Sequence, residues 1–315
     1  MSLVPFQWIE EAAERIAPHI NHTPLSYDPD IDVYFKWENQ QITGSFKLRG
    51  ALNKVLSLQD WERQRGLVTA SAGNHGQGVA VAAKLCGVSV TVFTSDHAAP
   101  NKLQAMQRLG AEIQQVNGGY AQAEAAGITY AQEHGMTWIS PYNDGQIIAG
   151  QGTLALELLH DLEMTHDQIW VVPAGGGGLV SGIGAAIRTL ERPPNLIAVQ
   201  SEASPFLYAI FHKGTQEGVV ELDSLADGLA GPVEAGSVTI PMTHAYVDNF
   251  FLVSEMDIAK AIAYAWRHYQ QRIEGSGAVT LAAILTGKVA QRPAVAVITG
   301  GNIQAEVHAQ IIAQY

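Results

Sequence analysis

Short hydrophobic runs rich in β-branched residues recur along the chain from Asp32 onward, and stretches with helical patterning separate them. This alternation is typical of βαβ units, in which helices cover both faces of a parallel sheet. The pattern therefore predicts an α/β protein. The predicted strands are Val33–Trp37, Leu67–Ala70, Val88–Thr94, Glu112–Val116, Ile169–Val172, Leu196–Gln200, Phe250–Val253 and Ala294–Ile298.

Helices fill most of the gaps between these strands. The acidic residues among apolar ones in residues 1–19 predict an amphipathic surface helix at the N-terminus. Capping and breaking residues bound further helices over residues 100–109 and 254–269, and a short helix is predicted over residues 79–85. The turn cluster at residues 140–145 predicts the end of one lobe, and the glycines and prolines of residues 214–241 predict a long loop.

The overall charge excludes one class of function. The chain has 315 residues and a formal net charge of −12, which argues against binding of nucleic acid because a basic surface would be needed to neutralise phosphates. The single cysteine, Cys86, predicts a reducing compartment. No apolar run approaches the length that crosses a membrane, and the N-terminus lacks the pattern of a signal peptide. We therefore expect a soluble, cytoplasmic protein that does not bind membranes.

The strongest local motif is the run of four glycines from Gly175 to Gly178, which follows a strand of the buried type and precedes a small-residue helix. Residues without Cβ atoms let successive backbone N–H groups converge on an anion, and the helix N-terminus adds partial positive charge. Close packing at a tight turn is the alternative interpretation. No Lys-Ser or Lys-Thr follows, and Val180 or Ser181 stands where a dinucleotide-binding motif has its third glycine, so we predict a small cofactor with a single phosphate.

Lys47 is the candidate nucleophile, because it follows a Gly-Ser turn and Phe46 at a predicted turn-to-helix boundary. Partial desolvation there would lower its pKa and allow the amine to form a Schiff base with a carbonyl. A solvated helix lysine is the alternative.

Two further strand ends carry polar residues. Ser71 and Asn74 follow one strand, and Thr299 follows another, so their side chains are candidates for binding a ligand at the carboxyl edge of a sheet. Helix caps and turns use the same residue types for purely structural reasons. The chain has no His-Glu-x-x-His motif, and we predict no metal ligands.

Together, Ser45-Phe46-Lys47, the segment Ser71-Ala72-Gly73-Asn74-His75, the four glycines and Thr299-Gly300-Gly301-Asn302 resemble the fold-type II pyridoxal-phosphate enzymes, specifically the serine/threonine dehydratases. The resemblance spans nearly the whole chain. It implies a fold like that of the tryptophan synthase β subunit, with two lobes that each hold a largely parallel open sheet flanked by helices. The large lobe would comprise residues 1–53 and 146–315, and the small lobe residues 54–145.

The resemblance also implies a role for each motif. Lys47 would carry pyridoxal 5′-phosphate and act as the base. The substrate would be bound by Ser71, Ala72, Gly73, Asn74 and His75. The cofactor would be held by Phe46, Lys47, Asn74, Gly175, Gly176, Gly177, Gly178, Leu179, Gly228, Glu274 and Thr299.

The implied reaction is the conversion of L-threonine or L-serine to a 2-oxo acid and ammonia by β-elimination. Racemases of this family carry a second hydroxyl where this chain has Ala72, which disfavours racemisation. A neutral Thr299 beside the ring nitrogen favours prompt elimination. Members of this family that bind a divalent cation have acidic residues soon after a strand end, whereas Glu202 is followed by none, which argues against a divalent cation and leaves a monovalent one bound by carbonyl oxygens as the alternative.

Several alternatives stay open. The substrate is an amino acid, but another β-hydroxy amino acid such as 3-hydroxyaspartate or phenylserine would suit the same motifs, and serine racemisation is a further possibility. A nucleotide-dependent oxidoreductase is the alternative from another class. The resemblance implies a homodimer. Because the chain ends one helix past the last predicted strand, we expect no C-terminal regulatory domain.

Overall fold

The computed structural model describes residues 4–98, 100–162 and 168–315, with the side chain of Asn101 excepted. Two separate sheets, each flanked by helices, organise these residues. The predicted α/β class with two largely parallel sheets is therefore confirmed.

The larger sheet has six strands in the order β1-β2-β10-β7-β8-β9. All neighbours are parallel except β1 and β2, which are antiparallel. The strands are β1 (Leu25–Asp28), β2 (Val33–Trp37), β7 (Ile169–Pro173), β8 (Asn195–Ser201), β9 (Asn249–Val253) and β10 (Ala294–Ile298).

The smaller sheet has four parallel strands in the order β5-β4-β3-β6. They are β3 (Leu67–Ala70), β4 (Val90–Ser95), β5 (Glu112–Val116) and β6 (Thr137–Trp138). All four lie within the predicted small lobe, whose limits at residues 54 and 145 stay a prediction.

Helices connect the strands and cover both sheets. They are α1 (Phe6–Ile16), α2 (Lys47–Ser57), α3 (Asp60–Gln64), α4 (Asn74–Cys86), α5 (Pro100–Arg108), α6 (Tyr120–His134), α7 (Gly145–Asp161), α8 (Gly178–Ile187), α9 (Phe206–Lys213), α10 (Thr239–Tyr246), α11 (Glu255–Tyr269), α12 (Gly275–Leu285) and α13 (Ala305–Gln314). Among the described residues, no helix combines the length and the apolar character needed to cross a membrane.

The core has two layers on the larger sheet. Along β7, Trp170 and Val172 pack on one face, with α1, α7 and α8, while Ile169 and Val171 pack on the other face, with α11 and α12. All five residues of β7 are buried. Burial on both faces explains why the central strands are continuously hydrophobic and not alternating.

Register places three turns at one edge of this sheet. Ile298 at the end of β10 pairs with Trp37 at the end of β2, and β7 runs parallel on the other side of β10. The three segments that follow these strands carry Lys47, Thr299 and the four glycines. Ligand sites of open parallel sheets lie at this carboxyl edge.

The sequence analysis did not predict two of the strands, β1 and β6. β1 is a short antiparallel edge strand, and β6 has only two residues, so neither carries a hydrophobic run.

The prediction for the helix after β3 was wrong at its start, because α4 begins at Asn74 and not at Val79. Gly76 and Gly78 lower the helical propensity of this first turn. Packing explains both glycines, since a Cβ on Gly76 would lie 2.4 Å from the Met106 Sδ, and one on Gly78 would lie 3.2 Å from the Ala51 Cβ.

Candidate active site

Lys47 is the first residue of α2 and lies beside the end of β10. The N–H of Phe46 donates to the Thr299 carbonyl at 3.0 Å, and Ser45 forms an isolated bridge with Gly300. These contacts fix the turn before the helix to the central strand of the larger sheet. Phe46 and Lys47 are thereby brought next to Thr299, which is distant from them in sequence.

The amine of Lys47 has a backbone carbonyl as its partner. The Nζ donates to the Pro141 carbonyl at 2.9 Å and lies 5.4 Å from the centre of the Phe46 ring. No carboxylate contacts this amine in the part of the chain that the structure describes. Burial without a counterion disfavours the charged form, and it lowers the pKa of Lys47 to about 8.

The four glycines connect β7 to α8 as predicted, since β7 ends at Pro173 and α8 begins at Gly178. The backbone N–H groups of Gly175 to Leu179 find no acceptor among the residues that the structure describes. The first N–H groups of a helix lack partners within the helix and are ready donors to an anion. This arrangement fits a phosphate cradle.

Close packing accounts for the glycines as well. A Cβ on Gly176 would lie 2.5 Å from ring atoms of Tyr142, and one on Gly175 would lie 2.9 Å from the Leu229 Cα. Gly177 has a φ of +87°, which favours glycine. A phosphate-binding loop and a tightly packed turn are therefore compatible interpretations of the four glycines. The neighbouring residues that leave no room for side chains also line the loop.

Asn74 and Glu274 meet across the gap between the two sheets. Asn74 begins α4 beside the smaller sheet, and its Nδ2 donates to the Glu274 Oε1 at 2.6 Å. Glu274 occupies the N-cap position of α12, which packs on the larger sheet, and its side chain is buried. Burial is the main cause that raises its pKa to about 7, and the nearby charge of Asp227 adds to this effect.

The loop before α4 offers further unused donors. The backbone N–H groups of Ala72, Asn74 and His75 have no acceptor among the described residues, while the Gly73 N–H donates to the Ser71 Oγ at 3.1 Å. Such donors suit a carboxylate.

His75 presents its backbone and not its side chain to this loop. Its ring is buried, and Nε2 lies 3.3 Å from the Ile139 carbonyl. Burial and, to a lesser extent, the charge of Lys47 lower the pKa of His75 to about 3.

Gly228 lies in the short 3-10 turn Asp227–Leu229. Its N–H donates to the Ser276 Oγ at 2.9 Å, and Ser276 lies two residues after Glu274. Leu229, the next residue in the turn, packs against Gly175.

A closed ring of contacts joins the predicted cofactor residues. Each step is a hydrogen bond, a packing contact or closeness in the chain, and the step from Glu274 to Gly300 is a hydrogen bond from the Glu274 N–H to the Gly300 carbonyl at 3.0 Å. The ring runs from Lys47 to Pro141 and Tyr142, to Gly175–Gly178, to Leu229 and Gly228, to Ser276 and Glu274, to Gly300 and Thr299, and back to Phe46, with Asn74 attached at Glu274.

Sequence reasoning missed three residues of this region. Tyr142 packs on the glycine loop, and Lys102 forms an ion pair with Asp227 at 2.7 Å. Asn302 was noticed only as part of a motif, yet it contacts Asn74 directly. Tyr142 stands in the predicted turn cluster at residues 140–145, whereas no local signal marks Lys102.

The site defines a class of protein. A lysine with a lowered pKa, a loop of unpartnered backbone donors and a set of neutral and carboxylate side chains suit a cofactor that bears both a carbonyl group and a phosphate. The two-lobed α/β fold places these groups at the carboxyl edge of its larger sheet.

Comparison with known proteins agrees with this class. The family described as pyridoxal-phosphate dependent enzyme matches residues 12–300. The L-threonine ammonia-lyase of Thermotoga maritima is 37% identical over 98% of this chain and 78% of its own length. The chain belongs to the fold-type II pyridoxal-phosphate enzymes, in the family of the serine/threonine dehydratases.

Solved structures show the same fold. Serine racemase from Dictyostelium discoideum matches with a TM-score of 0.86 and 34% identity, over 96% of this chain and 99% of its own. The processed form of threonine deaminase isoform 2 from Solanum lycopersicum matches with a TM-score of 0.88 and 26% identity, over 98% of this chain and 92% of its own.

Proposed function

We propose that this protein is a pyridoxal-phosphate-dependent ammonia-lyase that converts L-threonine, and also L-serine, to a 2-oxo acid and ammonia. The observation that carries the proposal is the ring of contacts around Lys47, because it gathers groups suited to the amine, phosphate and ring functions of one cofactor. The likeness to the L-threonine ammonia-lyase of Thermotoga maritima supports the choice of substrate.

The residues around Lys47 would bind the cofactor, and Lys47 itself would both attach it and take part in the reaction. Lys47 would carry the cofactor, and the N–H groups of Gly175 to Leu179 would bind its phosphate. Phe46, Asn74, Gly228, Glu274 and Thr299 would surround its ring. When bound, the cofactor supplies an electron sink for negative charge at the substrate Cα.

The substrate carboxylate would be bound by the loop from Ser71 to His75, through the Ser71 side chain and the backbone N–H groups of Ala72, Asn74 and His75, with Gly73 allowing the close approach. Lys47, with its pKa near 8, would take the Cα proton. Loss of the β-hydroxyl as water would follow, and hydrolysis of the released enamine would give the 2-oxo acid and ammonia.

The residue at position 72, an alanine, favours elimination over racemisation. Racemisation needs a group that returns a proton to the opposite face of Cα, and the methyl group of Ala72 carries no such proton. The likeness to the serine racemase of Dictyostelium discoideum makes D-serine the product to exclude.

Three finer points belong to the proposal. The resemblance to the dehydratases supports a homodimer. The single cysteine supports work in the cytoplasm. The described residues contain no cluster of three acidic, His or Cys side chains arranged to hold a metal ion, and the proposal includes no cation in the reaction.

Replacing Lys47 by alanine tests the function. We expect purified wild type to bind pyridoxal phosphate with a visible absorption band and to release ammonia and 2-oxobutanoate from L-threonine. Lys47→Ala would lose the band and at least about a thousandfold of the rate, since base and attachment point are both removed. Borohydride should attach the cofactor to Lys47 in wild type only.

Lys84→Ala, an exposed lysine of α4, is the matched control and should behave as wild type. A colourless wild type, or D-serine as the main product from L-serine, would contradict the proposal.

A further inference from the structure

The side chain of Asn302 links the turn before Lys47 to Asn74. Its Nδ2 lies 2.8 Å from the Thr43 carbonyl and 2.7 Å from the Asn74 Oδ1. Asn302 follows β10 of the larger sheet, whereas Asn74 begins α4 beside the smaller sheet. The contact therefore crosses between the two lobes at the edge of the site.

Asn302 is held tightly against its neighbours. Gly44 has a φ of +72°, and a Cβ there would lie 2.6 Å from the Asn302 Oδ1. The Gly301 N–H donates to the Gly44 carbonyl at 3.0 Å. The turn and the asparagine thus define each other's position.

The Thr43 carbonyl determines which way the Asn302 amide points. A backbone carbonyl only accepts hydrogen bonds, so the atom 2.8 Å from it must be the amide nitrogen. The same nitrogen also donates to the side chain of Asn74 at 2.7 Å. The acceptor must be the Asn74 Oδ1, because the amide nitrogen of Asn74 cannot accept a hydrogen bond.

The orientation of Asn74 follows from this chain of partners. With its oxygen toward Asn302, Asn74 turns its Nδ2 toward the Glu274 Oε1 at 2.6 Å. An amide nitrogen carries two hydrogens. One is taken by Glu274, and the other has no acceptor among the described residues.

We propose that Asn302 is a positioning residue that fixes the amide of Asn74 so that a nitrogen, and not an oxygen, is offered to the hydroxyl oxygen on the cofactor ring. The inference rests on the proposed function, since it assumes that Asn74 meets this ring. The Thr43 carbonyl determines the orientation of the Asn302 amide, and the Asn302 amide in turn determines the orientation of the Asn74 amide. Glu274 accepts a hydrogen bond from the Asn74 Nδ2. This contact does not by itself determine the orientation of the amide, since a protonated carboxyl could also donate to an amide oxygen.

Two substitutions of Asn302 separate positioning from packing. Asn302→Asp keeps the shape but has only acceptors, so it draws the Asn74 nitrogen to itself and reverses the amide. Asn302→Ala removes the anchor and leaves Glu274 to hold the nitrogen. Positioning predicts that aspartate is the more harmful, whereas a packing role predicts that alanine is, because it leaves a cavity.

The readouts are the dissociation constant of pyridoxal phosphate and the position and pH midpoint of the visible band. We expect Asn302→Asp to weaken cofactor binding about tenfold or more and to shift the band, and Asn302→Ala to weaken it by a smaller factor. Thermal unfolding of the cofactor-free proteins reports folding separately. Asn195→Asp, an exposed asparagine of β8, controls for the added charge and should match wild type.

The outcomes are decisive. Equal affinity in all variants, or alanine weaker than aspartate, would overturn the inference while leaving the proposed function in place. A wild type that binds no pyridoxal phosphate would instead overturn the proposed function. If Asn302→Asp does not fold, Asn302→Ala decides alone, and an unchanged dissociation constant would overturn the inference.

Discussion

Two lysines of this protein, one fully buried and one partly buried, have opposite surroundings. Lys36 is fully buried, and its amine forms an ion pair with Glu157 at 2.7 Å. Lys47 has instead the neutral Pro141 carbonyl and the Phe46 ring beside its amine. A buried amine without a counterion favours the neutral form, which is the nucleophilic one. Among the residues that the structure describes, no carboxylate pairs with the Lys47 amine, and this feature prepares Lys47 for chemistry.

The lowered pKa of Lys47 predicts a pH dependence. Below pH 8 the amine is mostly charged, and above it mostly neutral, so cofactor association should speed up from pH 6 to about 8 and then level off. Stopped-flow absorbance of the cofactor-free protein would measure this rate. An ordinary lysine would instead give a rate that keeps rising toward its usual pKa of 10.5, and such a profile would contradict the environment described.

The same shift affects stability in the cofactor-free protein. The folded state disfavours the charged amine, so Lys47 lowers stability at all pH values below about 8. Between about pH 8 and 10.5 the amine is neutral in the folded state but still protonated in the unfolded chain. The free energy of unfolding therefore rises with pH over this range, until the cost of burying the charge disappears.

At the scale of elements, the start of α2 is held on two sides. Lys47 faces the site, while Arg49, two residues later, is fully buried. Arg49 donates to both oxygens of Glu38 at 2.7 and 2.8 Å and to Glu157 of α7 at 2.6 Å. Since Glu38 directly follows β2, the network ties α2 to the larger sheet and to α7.

Removing the cation of this network should be costly. Arg49→Met leaves Glu38 and Glu157 without their shared partner, and we expect the free energy of unfolding to fall by about 3–5 kcal/mol. Urea unfolding of the cofactor-free protein would measure the loss. Arg63→Met, which removes the partly exposed pair with Asp60, should cost no more than about 1 kcal/mol. Similar losses in both variants would show that burial does not strengthen the network.

At the scale of the whole molecule, polar contacts bridge the two lobes around the site. The ion pair of Lys102 in α5 with Asp227 joins Asn74–Glu274 and Asn143–Glu234 in this role. The Lys102 Nζ lies 3.9 Å from the position of a Cβ on Gly73. The pair therefore lies between the loop of residues 71–75, which we propose to bind the substrate, and the 3-10 turn that contains Gly228.

Breaking this pair should affect substrate binding more than folding. For Lys102→Met we expect the stability to change by no more than about 1 kcal/mol, because the pair is partly exposed. The KM for L-threonine should rise severalfold with a smaller change in kcat, since the substrate loop loses its tie to the other lobe. Steady-state kinetics and urea unfolding measure both quantities. Lys288→Met, which removes an exposed pair with Glu202, is the control, and equal KM values would refute the role of Lys102.

Hydrophobic runs and turn residues along the chain determined the elements. β2, β3 and β10 have the predicted bounds, because largely buried strands carry hydrophobic runs that are visible without neighbours. β5 also has the predicted bounds, although none of its five residues is buried. The start of α4 was wrong because its glycines are explained by packing against Met106 and Ala51, which are distant in sequence.

Only the tertiary structure decided which motifs meet. Asn74 and Glu274 are 200 residues apart, and their contact depends on the order of strands in two sheets and on how the sheets face each other. The sequence alone determined that Lys47, a glycine loop and polar strand ends exist, since each is a local pattern of residues. The lowered pKa of Lys47 and the orientation of Asn74 by Asn302 depend on burial and on partners from other elements. Such properties arise only when the folded chain removes water and brings these groups within hydrogen-bond distance.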